Sequence, residues 1–155
     1  MIFSQKGFTL IELLVTISII AVLTGILTAN FIAAGERGSD GQRKSSLLQL
    51  QSALEIYRND QGYYPAALGA CGTSIVEGGA TYMTKIPCDP DDEAPYQYIA
   101  TNQEVACDNQ DTFCTHYTLY ACLENENDKQ AEDVEDLSEA ELEICPGALF
   151  KLVNP

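Results

Sequence analysis

Tryptophan is absent, histidine occurs once, and basic residues are scarce: eight Lys and Arg stand against 23 Asp and Glu, for a net charge of -15 over 155 residues. Each shortage excludes something. An acidic surface repels phosphate, so nucleic acid is not an expected partner, and docking on anionic lipid by surface charge is disfavoured. A single histidine, His116, in a Thr- and Tyr-rich stretch leaves no room for a histidine-based metal centre. Nor does it suggest a nucleophile with its base. G-x-S-x-G, a Walker loop and G-x-G-x-x-G are all missing. No enzyme is expected.

Six cysteines are present: Cys71, Cys88, Cys107, Cys114, Cys122 and Cys145. No two are spaced as C-x-x-C, which argues against zinc. All six follow a long apolar run, so they point to disulfides in an oxidising compartment. The connectivity is open from spacing alone; neighbour pairing, Cys71–Cys88, Cys107–Cys114 and Cys122–Cys145, is the arrangement preferred here.

The apolar run covers residues 8–34, FTLIELLVTISIIAVLTGILTANFIAA, with one charge, Glu12. As a helix it would span roughly 40 Å at about 1.5 Å per residue, enough for a bilayer. It is longer than the apolar core of a secretory signal, and no A-x-A site follows. A short leader, residues 1–7, carries Lys6 and is expected to stay cytoplasmic, with the cysteine-bearing part outside. Glu12 is the anomaly. An ionised carboxylate in hydrocarbon costs about 2.5–3.5 kcal/mol, so it either sits near the headgroups or finds a cation.

The stretch from Lys6 to Val15, KGFTLIELLV, resembles the class III signal of type IV prepilins and type II secretion pseudopilins. It joins a basic leader, Gly7 before the cut, Phe8 after it, Glu12 at the fifth mature position and an unbroken apolar helix. The resemblance implies cleavage between Gly7 and Phe8 by a prepilin peptidase, N-methylation of Phe8, and pairing of Glu12 with the Phe8 amine of a neighbouring subunit during assembly. It implies these partners: further copies in a helical filament, the peptidase/methyltransferase, pilus or secretion machinery, and the membrane. The subunit would be single-pass in the cytoplasmic (inner) membrane, with an extracytoplasmic C-terminal domain and a periplasmic or surface filament.

Beyond the run, residues 35–44, GERGSDGQRK, read as a linker from composition; the resemblance implies a softened part of one long helix. Leu47, Leu50, Leu54 and Tyr57 recur at three- and four-residue spacing, which predicts an amphipathic helix over 35–61 packed on a sheet. Gly62 and Pro65 end it. Residues 62–95 read as loop with a short helix near Tyr82 and Met83. Strands are expected at Tyr96–Ala100, Phe113–Leu123 and Leu149–Val153; in the second, Tyr117, Leu119, Ala121 and Leu123 share one face. The fold class expected is α+β, pilin-like, a long N-terminal transmembrane-to-soluble helix on a small antiparallel sheet within a domain over 62–155.

Residues 124–145 are densely acidic, and Ser138 with Glu141 is spaced as a capping box. From composition they read as a solvated loop. Because some major pseudopilins bind calcium in this region, Glu124, Glu126 and Asp128, or Asp89, Asp91 and Asp92, are candidate calcium ligands, although no EF-hand loop is present. A filament subunit is the leading function. A tip subunit acting as a binding module and a plain single-span anchor for a disulfide domain are the alternatives.

Overall fold

A computed structural model describes residues 7–103, 105–132 and 134–154; the basic leader, Lys6 included, lies outside them. The chain divides into two compact units, residues 1–35 and 36–155.

Helix α1 runs over Leu10–Gln61. Its first turn is closed by a reciprocal box: Thr9 Oγ1 accepts from the Glu12 backbone N–H (3.3 Å), and the Glu12 carboxylate accepts from the Thr9 backbone N–H (2.8 Å). In the first unit this helix is apolar on all sides and exposed in the single chain, from Leu10 at 81% through Leu23 at 54%. Its hydroxyls turn inward: Thr16 and Ser18 donate to the carbonyls of Leu13 and Val15, and Thr24 to that of Ile20, each at 2.8 Å. Such back-bonding leaves the helix surface apolar. Among the described residues no helix is long and apolar enough to cross a membrane.

In the second unit α1 stays helical through the stretch that reads as a linker. Gly35, Gly38 and Gly41 cost about 1 kcal/mol each relative to Ala. Against this, Leu47, Leu50, Leu54 and Tyr57 are buried, and each such side chain contributes about 1.5–3 kcal/mol. Burial outweighs propensity. The helix stops at Gly62, whose φ of 85° is in the left-handed region and whose N–H bonds the Arg58 carbonyl at 2.8 Å.

A hairpin follows, β1 (Ile75–Glu77) and β2 (Ala80–Met83), turning at Gly78-Gly79, both at positive φ. The main sheet holds β3 (Gln97–Asn102), β4 (Val105–Ala106), β5 (His116–Leu123) and β6 (Ala148–Val153) in the antiparallel order β4-β3-β5-β6. Its inner face, Tyr117, Leu119, Ala121, Leu123, Ala148 and Phe150, joins the buried stripe of α1 in one core. Tyr64 and Tyr117 pack edge-to-face and both donate to Glu55, at 2.9 and 3.0 Å. Burial raises the Tyr57 phenol to about 12 and Tyr117 further, which keeps both neutral.

Three sequence expectations change. The segment around Tyr82 is strand, not helix, because Ala80, Thr81 and Met83 pair with Glu77, Val76 and Ile75 of β1, with a bulge at Tyr82. The main sheet has four strands, not three, since β4 adds a two-residue edge to β3. The acid-rich segment is more than a solvated loop. It carries helix α2 (Glu139–Ile144), opened by the Ser138–Glu141 capping box, and lays Leu137 and Ile144 on Tyr120, Leu149 and Cys145. Tyr120 and Leu149 lie on the outer face of the sheet, so this segment makes a second, small core there.

Two carbonyls on the outer edge of β6 are occupied. The Leu149 carbonyl accepts from the Glu132 backbone N–H at 2.7 Å, and the Val153 carbonyl from Gln51 Nε2 at 3.3 Å.

Candidate functional site: assembly helix and acid cluster

Gly7, Phe8 and Glu12 stand together at the start of the first unit. Phe8 is 87% exposed, and Glu12 Oε2 is held by the backbone N–H (2.8 Å) and the hydroxyl (2.6 Å) of Thr9. The carboxylate is thus fixed at the head of the helix, where the N-terminal dipole favours negative charge. Sequence reasoning singled out Glu12 and passed over Thr9; the T-x-x-E spacing was the available signal. Among the described residues the surrounding apolar side chains, Leu10, Ile11, Leu13 and Leu14, are all exposed. Exposed apolar surface of this extent marks a lipid or protein contact.

The six cysteines form three disulfides between sequence neighbours: Cys71–Cys88, Cys107–Cys114 and Cys122–Cys145, with Cα–Cα distances of 5.1, 5.3 and 5.5 Å. The last joins β5 to the end of α2 and anchors the acidic segment at both ends.

The candidate calcium ligands have other partners. Arg43 Nε bonds Asp89 Oδ2 (2.7 Å), Nη2 bonds Asp89 Oδ1 (3.1 Å) and Asp91 (2.5 Å), and Nη1 bonds Glu124 (2.7 Å) and Asp40 (2.9 Å). Lys44 takes Asp128 at 2.5 Å. Asp92 accepts from the Ala94 N–H, and Glu126 lines a shallow cup with Asp128 and Glu132. Among the described residues no group of three or more His, Cys, Asp or Glu could hold a metal ion. In this arrangement Arg43 engages Asp89, Asp91 and Glu124, and Lys44 engages Asp128. Sequence reading missed Asp40, Arg43 and Lys44, the helix residues on which the two acidic loops close. Basic residues in a polar, Gly-rich stretch carry no periodic signal.

Burial pushes the Asp89 carboxyl up, but hydrogen bonds from Arg43 and from backbone N–H groups overcome it and hold the pKa below the ordinary range. The bond from Lys44 lowers Asp128 in the same way. Groups with depressed folded-state pKa values add stability above their unfolded pKa, and that stability is lost as pH falls through the folded value. The melting temperature, followed by tyrosine near-ultraviolet circular dichroism, is therefore expected to fall on acidification below about pH 4, the unfolded carboxylate range. Arg43→Gln is expected to flatten that dependence.

An exposed apolar helix with one capped carboxylate near its start, joined in sequence to a disulfide-stapled α+β domain, defines a pilin-like chain. The family profile for the prokaryotic N-terminal methylation motif matches residues 2–28. The type II secretion system core protein G of Aeromonas hydrophila is 31% identical over 111 residues, covering 64% of this chain and 76% of that protein. The core protein G of Escherichia coli is 30% identical over 97 residues, covering 56% of this chain and 66% of that protein. The type IV wide pilus major component of Thermus thermophilus is 38% identical over 82 residues, covering 51% of this chain and 63% of that protein. No solved structure matches significantly. The chain belongs to the type IV pilin and type II secretion pseudopilin family, whose members are structural subunits of filaments.

Proposed function

We propose that this chain is a subunit of a type II secretion pseudopilus, cut between Gly7 and Phe8, methylated on Phe8, and held by the run 8–34 in the inner membrane until it polymerises. The observation that carries the reading is the methylation motif lying on a helix that is apolar on every described side and bare in the single chain. Such a helix is supported first by lipid and then by the same helix of other subunits. Cleavage frees an amine on Phe8, and that amine supplies the cation for Glu12. The disulfides fit an extracytoplasmic domain.

The exact mass of the N-terminal peptide, taken from membranes of the protein's own host, tests this. A peptide starting at Phe8 with one added methyl is expected. An intact Met1 leader in a host with active peptidase would leave a single-span anchor as the better reading. The Thermus relative favours a second reading, a type IV pilus. Deleting each assembly system in turn separates the two, because the filament disappears only with its own machinery.

A further inference from the structure

The acid cluster of the second unit is built around one side chain. Asp40 comes from α1, Asp89 and Asp91 from the loop after Cys88, and Glu124 from the end of β5. All four carboxylates meet the Arg43 guanidinium. A guanidinium has five N–H donors in a fixed fork, and the five bonds described above use that number. Arg43 is 5% exposed and Asp40 2%. Both Asp40 oxygens work further: they accept from the backbone N–H groups of Glu124 and Asn125, each at 2.9 Å. Two loops distant in sequence are thereby closed onto one turn of helix. Both loops begin next to a disulfide cysteine, Cys88 and Cys122.

The charge is lopsided. Four carboxylates face one guanidinium, with Lys44 engaged by Asp128 beside them. Without Arg43 the four would repel at short range, most strongly around the buried Asp40 and the largely buried Asp89, while Asp91 and Glu124 reach solvent. Converging carboxylate oxygens of this kind are what a hard divalent cation binds. Arg43 cannot leave, cannot be chelated and does not lose its proton.

We infer that Arg43 is the resident cation of this cluster, a tethered replacement for a bound divalent ion, and that it makes the folded domain independent of calcium. The inference does not depend on which filament the chain enters. It is tested on the full-length protein in detergent micelles by thermal unfolding in millimolar calcium and in excess chelator. The wild-type melting temperature is expected to agree between the two within about 1 °C. Arg43→Gln, which keeps a polar side chain but removes the charge and the guanidinium fork, is expected to melt at least about 5 °C lower in chelator. Calcium is expected to restore a large part of that loss. A wild type that loses several degrees in chelator would overturn the inference, because a metal would then be part of the native cluster. An Arg43→Gln protein that melts like wild type, or that calcium does not help, would also overturn it. If Arg43→Gln does not accumulate, Arg43→Lys keeps one charge while losing the fork. Calcium raising its melting temperature supports the inference, and a melt identical to wild type in both conditions defeats it.

Discussion

Glu12→Leu is expected to insert in the membrane as well as wild type and to be almost absent from filaments. The substitution removes a carboxylate that costs about 2.5–3.5 kcal/mol in hydrocarbon, so insertion loses nothing. In the single chain Thr9 engages Glu12 through its backbone N–H and its hydroxyl, which satisfies the group without neutralising it. A neighbour's amine would neutralise it, and that gain is available only in the polymer. When the variant and wild type are co-expressed, incorporation of the variant should fall at least about tenfold, equivalent to about 1.4 kcal/mol. Thr9→Ala, which keeps the charge, should lose less. Equal incorporation of Glu12→Leu and wild type would end the charge-pairing account.

The second large effect lies at the other end of the chain. Cys122→Ser with Cys145→Ser should lower stability by about 3 kcal/mol, or on the order of 10 °C in melting temperature. The pair closes a separation of 23 residues, against 7 for Cys107–Cys114, and loop-closure entropy grows with length. Its loss also frees the segment that covers Tyr120 and Leu149. Hydrogen exchange should therefore quicken through α2 and the residues before it while β3 stays protected. An unchanged melt, or loss of protection spread evenly over the sheet, would show that the acidic segment is not held this way.

The parts of this molecule that repeat were legible before any coordinates. The stripe Leu47, Leu50, Leu54, Tyr57 and the alternation Tyr117, Leu119, Ala121, Leu123 follow from helix and strand geometry, and both face the core as read. The stop at Gly62 and the Ser138–Glu141 box were also visible, because each rests on a local rule. What stayed hidden depends on distant partners. The acidic stretch reads as solvent-exposed because its apolar residues are few; only the outer face of β5 and β6 shows where Leu137 and Ile144 go. Arg43 sits among glycines and polar residues, and its role becomes visible only when carboxylates from 46 to 81 positions away arrive. The turn at Gly78-Gly79 did not advertise a hairpin, because its flanking strands are three and four residues long. For Glu12 the family pattern implies a partner, the Phe8 amine of a neighbouring subunit, that energetics alone could not name.

The hydrogen bonds on the open side of β6 bear on how such a chain avoids the wrong polymer. A filament subunit is built to associate with itself and is at risk of joining sheet to sheet, since any unpaired strand is a template for another. Here Glu132 and Gln51 already occupy the carbonyls of Leu149 and Val153, and at the far side β4 offers only two residues. Two carbonyls of β6 are thus withheld from an incoming strand, and β4 offers a short template on the other side. The exposed apolar residues of the first unit are then the more favourable surface for self-association.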